Sequence, residues 1–282
     1  MEQARRAFTE DYADFVGLVR TEALKIWNTI IPPGVNQIKA YFEGILKAAA
    51  GQRVVFRAFD MQPDKLSPAF AYTRYKGNKW YLEHPLGREV FKQQLRAWIQ
   101  LGRRYYFDVM FPMIESDSDI VLIDKLLNEA ARDEGVEAVG FNLGIMVETH
   151  SAALILGQLL SNKIFNRRIS FFSIGTNDYI RFTYKADRAN GSDVKEYYNY
   201  VLPAVVRMIR DTSEVAHRAS VKPGVCGDLA SKEDYWPVWF YQRFVLGNEI
   251  HLSMPSKLIP KYKAYIKVLE ANWNRIGQMK TE

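Results

Sequence analysis

The chain has 282 residues, of which 48% are hydrophobic and 25% charged, a balance typical of a globular protein with a sizeable core. Its single cysteine excludes an internal disulfide and fits a reducing cytoplasm. The net charge is +6, but the basic residues are scattered along the chain among acidic ones, which argues against nucleic acid as a partner. The most apolar stretch, 151–160, is too short to cross a membrane.

Short, nearly continuously apolar runs recur along the chain, and such runs are typical of parallel strands buried on both faces. They predict strands at 15–19, 54–58, 107–111, 142–147, 170–174, 222–226 and 247–252. Amphipathic helices are predicted at 117–132, 151–160 and 203–219 between these runs. Because strands and helices alternate and no low-complexity linker separates them, we expect one α/β domain over residues 1–282, with a parallel sheet and crossover helices.

A distinctive residue stands where almost every predicted strand ends. In a (β/α) barrel these strand ends meet at one mouth, where catalytic groups lie. The residues are Arg20, Arg57, Pro112, Glu148, Asn177, Asp178, Cys226 and Ser253. A single polar residue at a strand end is ordinary, but two arginines, two carboxylates, an amide and a thiol together indicate a shared pocket.

Several longer motifs coincide with these strand ends. Phe-Ser-Ile-Gly-Thr-Asn-Asp at 172–178, followed by Ala-Asp-Arg-Ala-Asn at 186–190, closely resembles the signature of the phosphoenolpyruvate (PEP)-utilising enzymes. Further stretches agree with that family in order and spacing, at 17–22, 56–60 with 64–65, 110–114, 144–149 and 224–230. The resemblance covers nearly the whole chain and is closest to the PEP–protein phosphotransferase branch, which implies a (β/α)8-type TIM barrel that binds PEP and pyruvate.

The resemblance also implies roles for individual residues. Arg20, Arg57 and Arg188 would hold phosphate and carboxylate oxygens, for which arginine forks are well suited, and Asn177 would add amide hydrogen bonds. The remaining pair, Glu148 and Asp178, would hold Mg²⁺, a cation that favours a few carboxylates together with substrate oxygens. The alternative interpretation of these two carboxylates is a set of salt bridges with nearby arginines.

Cys226 occupies the position of the family's proton donor. Its thiol would protonate the methylene carbon of the enolate after phosphoryl transfer, which forms pyruvate. The alternative is a buried cysteine that only packs as a small apolar side chain.

The chain departs from the family pattern in the segment before the third strand. That segment is shortened around residues 83–88, so Arg88 either replaces a missing substrate-binding arginine or is an ordinary residue near a helix start. None of the four histidines lies in the family's phosphohistidine motif, so we expect the phosphoryl acceptor on a separate domain or protein.

The segment before the first predicted strand, residues 1–14, is a predicted helix end, so the barrel is expected to lack its first strand. Exposed strand edges favour association, and the resemblance implies a homodimer. The leading hypothesis is a Mg²⁺-dependent PEP/pyruvate-binding domain of a phosphotransferase in the cytoplasm. The alternatives are a stand-alone pyruvate- or oxaloacetate-handling lyase and a non-catalytic PEP-binding regulatory domain.

Overall fold

A parallel sheet that follows the order of the chain is the centre of the fold. The computed structural model describes residues 2–21, 33–60, 78–186, 190–191, 196–197, 202–230 and 251–278. Seven strands form the sheet, namely β1 Val16–Arg20, β2 Val54–Arg57, β3 Asp108–Phe111, β4 Asn142–Val147, β7 Phe171–Gly175, β8 Lys222–Cys226 and β9 His251–Leu252. Every neighbouring pair is parallel, which confirms the predicted α/β architecture. The last predicted strand, 247–252, is observed only at 251–252, and 247–250 lie outside the described residues.

Helices cover the outer face of the sheet. They are α1 Glu2–Thr9, α2 Val35–Ala49, α3 Asn78–Glu83, α4 Pro85–Gly102, α5 Asp117–Asp133, α6 His150–Leu154, α7 Leu156–Ser161, α8 Thr176–Tyr184, α9 Pro203–Ala219 and α10 Ile259–Gln278. The helix predicted at 151–160 is divided into α6 and α7 at Ile155. No helix among the described residues is both long and apolar enough to cross a membrane.

A short antiparallel hairpin, β5 Lys163–Ile164 with β6 Arg167–Arg168, was not predicted. Its two central residues, Phe165 and Asn166, have positive φ values of 52° and 58°. Two consecutive positive φ angles are characteristic of the tight turns that join such strands. The sequence offers no glycine at this turn, and glycine is the usual signal for it.

The sheet curves so that one face forms the interior of a nearly closed barrel. Alternate side chains of the strands point inward, and the buried interior set is Val55, Met110, Met146, Phe171 and Cys226. The other face packs against the helices and forms the larger apolar core. Parallel strands therefore bury both of their faces, which explains why they are continuously apolar in sequence.

The sheet closes on itself through side chains at its two edges. No strand pairing joins β1 to β9 in the described part of the chain. The rings of Phe15 and His251 lie with their centroids 5.0 Å apart across this seam. A cleft of ≈ 850 Å³ follows the seam up to the C-terminal strand ends, where its lining includes Arg20 and Cys226. The seven strands found among the described residues thus agree with the prediction of a barrel that lacks its first strand.

Candidate functional site

The C-terminal ends of the parallel strands bring the predicted polar residues to one mouth. Register pairs Arg20 with Arg57 on neighbouring strands, and Gly175 with Cys226 on another neighbouring pair. Because parallel strands share one direction, each strand end delivers its last side chain to the same edge of the sheet.

Arg57 lies at the end of β2 and is almost completely buried, with 5% of the residue exposed. Its Nη2 lies 3.4 Å from Oδ2 of Asp60, which is itself buried. Gln94 in α4 accepts a hydrogen bond of 3.1 Å from the backbone N–H of Phe59 and so fixes the loop that carries this pair. A buried guanidinium paired with one carboxylate is a pre-organised anchor for an anion.

Glu148 directly follows β4 and is only 1% exposed. Its Oε1 accepts a hydrogen bond of 2.7 Å from the backbone N–H of Met113. Burial, and then the nearby charge of Asp178, raise the pKa of Glu148 from 4.5 to about 8, while Arg57 and the Met113 N–H act in the opposite direction. This carboxylate is therefore costly to ionise in the absence of a cation.

Asn177 and Asp178 lie in the first turn of α8, which follows β7 directly. The Oδ1 of Asn177 accepts a hydrogen bond of 2.9 Å from the backbone N–H of Asp228, which holds the amide in one orientation. Asp178 is partly exposed and lies 3.6 Å from Nη1 of Arg181. The charge of Asp178 raises the pKa of Glu148, so the two carboxylates lie close enough at the mouth to interact.

Cys226 ends β8 and is 5% exposed. Burial raises the pKa of its thiol from 9.0 to about 11, the Ser173 side chain lowers it, and Glu148, Arg57 and Arg20 act more weakly. The next residue, Gly227, has φ +101°, and a Cβ there would lie 2.5 Å from Oγ1 of Thr176. Glycine is therefore required at this turn. Oγ1 of Thr176 donates a hydrogen bond of 2.8 Å to the carbonyl oxygen of Cys226, and the thiol lies 3.5 Å from the carbonyl oxygen of Ile174 in β7.

Arg88, the predicted substitute for a missing arginine, lies in α4 among the outer helices. Its Nη1 is 3.3 Å from the carbonyl oxygen of Leu82, and its Nη2 is 3.4 Å from Glu129 in α5. These contacts tie helices together and favour the interpretation of Arg88 as a residue near a helix start. Arg188, the third predicted arginine, lies outside the described residues.

Three buried residues close to the site were not singled out from the sequence: Tyr81, Gln94 and Ser173. Tyr81 lies just before the shortened stretch around residues 83–88 and outside the motifs that match the family, so no motif indicated its position. Burial raises the pKa of its hydroxyl well above the ordinary range, and the charges of Asp60, Asp119 and Glu148 contribute in the same direction. Ser173 lowers the pKa of Cys226 through a hydrogen bond and would have been found only from its inward position on β7.

The donor set at the mouth fits Mg²⁺. Among the described residues no group of three or more His, Cys, Asp or Glu side chains is arranged to hold a metal ion. Mg²⁺ does not need such a group, because it binds through one or two carboxylates and completes its shell with water and substrate oxygens. Burial and the charge of Asp178 make Glu148 costly to ionise, and a cation held by both carboxylates would lower that cost.

Comparisons with known proteins identify the family. The family model described as "PEP-utilising enzyme, PEP-binding domain" matches residues 1–271. The chain therefore belongs to the PEP-utilising enzymes and comprises their PEP-binding domain, as the motifs predicted.

Two curated relatives are similar over most of the chain. A phosphoenolpyruvate-protein phosphotransferase of Staphylococcus carnosus is 32% identical over 240 residues, which are 81% of this chain and 40% of the relative. Multiphosphoryl transfer protein 1 of Escherichia coli is 31% identical over 268 residues, which are 92% of this chain and 31% of the relative. The chain thus spans less than half the length of either protein.

Solved structures support the fold. A citrate lyase from Burkholderia xenovorans superposes with a TM-score of 0.57 at 14% identity and covers 97% of this chain and 78% of its own. An HpcH/HpaI aldolase/citrate lyase family protein from Burkholderia cenocepacia has a TM-score of 0.53 at 12% identity, covering 96% of this chain and 91% of its own. At such identities the likeness concerns the barrel alone.

Proposed function

We propose that this domain binds PEP with Mg²⁺ and delivers its phosphoryl group to a histidine on a separate domain. The observation that carries the proposal is the convergence of a buried arginine, two carboxylates of which Asp178 raises the pKa of Glu148, and a protonated thiol at one mouth. PEP needs all three: an anchor for its oxygens, a cation to neutralise them and a proton for its methylene carbon. The names of two relatives, a phosphoenolpyruvate-protein phosphotransferase and a multiphosphoryl transfer protein, support the same activity.

The ligand would be held by Arg57 and Arg20. Arg57 is buried and stays charged, so it can present its guanidinium to phosphate or carboxylate oxygens without the competition of bulk water. Arg20 is exposed at the neighbouring strand end and can approach the same anion from the cleft. By resemblance Arg188 would add a further contact, which stays a prediction, and Asn177 would donate from its amide group.

Glu148 and Asp178 would hold the cation, which supplies positive charge that stabilises negative charge on substrate oxygens as the phosphoryl group leaves. The Met113 N–H fixes one oxygen of Glu148. Its other oxygen, Oε2, lies beside Gly175, where the absence of a side chain leaves it room.

Cys226 would supply the proton. Transfer of the phosphoryl group to the acceptor imidazole leaves the enolate of pyruvate, and its methylene carbon then takes the proton from the thiol. The thiolate so formed regains a proton from solvent. Because the pKa of Cys226 is raised to about 11, the thiol is protonated at neutral pH, as a general acid must be.

Exchange of pyruvate methyl hydrogens with heavy water tests this proposal without the acceptor domain. The expected result is Mg²⁺-dependent exchange by the wild type that slows about 10²–10⁴-fold in Cys226→Ala, with the affinity for oxalate, an enolate mimic, almost unchanged. Exchange that survives in Cys226→Ala would remove the thiol from the mechanism. Oxalate binding without any exchange by the wild type would favour the regulatory binding domain, and net turnover of oxaloacetate by the isolated chain would favour the lyase.

The anion anchor is tested separately. Arg57→Lys keeps the charge but removes the fork, so we expect oxalate affinity to fall by roughly ten- to hundredfold. Arg96→Lys is the matched control, because Arg96 pairs with Glu134 on the outer helices, at 2.7 Å. Equal affinities of the two variants would contradict the role of Arg57. The homodimer, the cytoplasmic location and the interpretation of residues 1–282 as one domain stay predictions.

A further inference from the structure

Tyr81 is a buried tyrosine in α3 that the proposed chemistry does not use. It is 1% exposed, and its ring packs against Phe91 with centroids 4.8 Å apart. Its hydroxyl donates a hydrogen bond of 3.5 Å to the carbonyl oxygen of Pro112, the first residue after β3. A buried tyrosine keeps a hydroxyl only where that group has a partner, so the contact with Pro112 calls for an explanation.

The same peptide unit also holds Glu148. The carbonyl of Pro112 and the N–H of Met113 belong to one planar group, so the orientation of one determines the orientation of the other. The carbonyl accepts from Tyr81, and the N–H donates to Oε1 of Glu148 at 2.7 Å. Tyr81 and Glu148 therefore form hydrogen bonds with the two polar groups of a single peptide unit.

This peptide lies next to a strained residue. Met113 has φ +53°, in the left-handed region that residues other than glycine rarely adopt. Such a conformation persists only where neighbouring contacts hold it. The carbonyl oxygen of Ile114, the residue after Met113, accepts a hydrogen bond of 2.8 Å from Oγ1 of Thr149, the residue after Glu148. The loop is thus fastened on one side by α3 and on the other by the segment that follows β4.

We propose that Tyr81 is a positioning residue for Glu148: its hydroxyl holds the Pro112–Met113 peptide so that the Met113 N–H fixes the carboxylate at the mouth. The effect on ligand binding rests on the proposed function, but the positioning itself does not. Tyr81 lies in α3, just before the shortened stretch around residues 83–88. This helix therefore contributes to the site through the backbone of the neighbouring loop.

Selective labelling with ¹⁵N-methionine gives a direct test, because the chain has eight methionines and the amide spectrum stays simple. Met113→Leu assigns the signal of Met113. In Tyr81→Phe, which keeps the ring against Phe91, the Met113 amide proton should move upfield. Its hydrogen exchange should become roughly two- to tenfold faster, as expected for a weakened hydrogen bond. Tyr105→Phe is the matched control, since the Tyr105 hydroxyl bonds to Glu43, at 3.1 Å, on the outer surface.

The outcomes separate this inference from the proposed function. A Met113 signal that is unchanged in Tyr81→Phe overturns the positioning role, whatever happens to ligand binding. A uniform response of all methionine amides also overturns it, because the hydroxyl would then act on the fold in general. A selective change at Met113, with Tyr105→Phe like the wild type, supports it. Affinity for Mg²⁺ with oxalate should then fall by a similar factor; failure of the wild type to bind oxalate would contradict the proposed function and leave the amide result intact.

Discussion

The carboxylate of Glu148 lies in the space that a side chain at Gly175 would fill. A Cβ at Gly175 would lie 2.7 Å from both Cβ and Oε2 of Glu148, closer than real Cβ contacts come. Register between the two strands places Val147 opposite Ile174, so Glu148 and Gly175 are the next residues along this neighbouring pair. Because Glu148 is buried and bonded to Met113, its carboxylate cannot move aside without losing that bond.

Gly175→Ala should therefore displace Glu148 and impair the cation site. The backbone accepts alanine, since φ is −86°, so the effect is steric. We expect the Mg²⁺-dependent affinity for oxalate to fall at least tenfold and the free energy of unfolding to fall by about 1–3 kcal/mol, which titration calorimetry and urea denaturation would measure. Gly157→Ala is the control, because its nearest neighbour would be 3.8 Å away. Wild-type affinity in Gly175→Ala would show that the position of Glu148 does not matter for binding.

Glu148 should make stability fall with rising pH. Its pKa is raised from 4.5 to about 8, so between these pH values the folded state binds more protons than the unfolded state. Its contribution is fully present below pH 4.5 and is lost as the pH rises to about 8. In the wild type the free energy of unfolding should therefore fall by up to about 1.4 kcal/mol per pH unit in this range, and Glu148→Gln should not show that fall. The variant should be more stable than the wild type at alkaline pH.

Urea denaturation at several pH values, without Mg²⁺, measures this difference. Glu137→Gln is the matched control, since it makes the same chemical change at an exposed position. Parallel pH profiles for Glu148→Gln and the wild type would mean that Glu148 is ionised at neutral pH even without a cation. Such a result would remove the argument that Glu148 is costly to ionise without a cation.

The strands and their polar ends could be predicted because burial on both faces leaves a direct record in the sequence. β4 is predicted residue for residue, and the mouth residues Glu148 and Cys226 follow from the positions where apolar runs stop. The motifs around 172–178 added the family, which the comparisons confirm. These features are local: each depends on a few consecutive residues.

Features that depend on contacts distant in sequence could not be predicted. Tyr81 reaches Pro112 only because α3 packs beside the end of β3, and no spacing rule expresses that contact. The left-handed conformation of Met113 is imposed by its surroundings, since methionine itself disfavours it. For Arg88 the sequence left two interpretations open, a replacement for the missing arginine and an ordinary residue near a helix start. Only its contacts with Leu82 and Glu129, which are distant from the mouth motifs in sequence, favour the second.

Cys226 should react slowly with alkylating reagents. With a pKa of about 11, only about one thiol in a thousand is ionised at pH 8, and the reacting species is the thiolate. Since the chain has one cysteine, the mass of the intact protein reports the extent of reaction with iodoacetamide. The rate should rise about tenfold per pH unit up to pH 10, and urea-unfolded protein should react far faster at pH 8. Rapid reaction of the folded protein at neutral pH would reveal a stable thiolate, which cannot serve as a general acid.

The seam between β1 and β9 gives the last prediction. Gly17 faces Ser253 there, and a Cβ at Gly17 would lie 2.4 Å from Oγ and 3.4 Å from Cβ of Ser253. Glycine thus lets the two sheet edges approach each other, and no strand lies between them in the part of the chain that the structure describes.

Gly17→Val should force the seam apart and lower the free energy of unfolding by about 1–3 kcal/mol, because overpacking strains a close contact. Ser253→Gly removes the atoms with which the new side chain collides, so the double variant should recover part of that loss. A double-mutant cycle measures this by urea denaturation of the wild type, both single variants and the double variant. If the two residues are in contact, their coupling free energy should be about 0.5–3 kcal/mol. Strict additivity would mean that the two residues do not meet in solution and that the barrel closes in another way. Positive coupling would establish that Gly17 and Ser253 are in contact in solution. The two sheet edges, which share no strand pairing among the described residues, would then meet at this seam beside the mouth that carries Arg20 and Cys226.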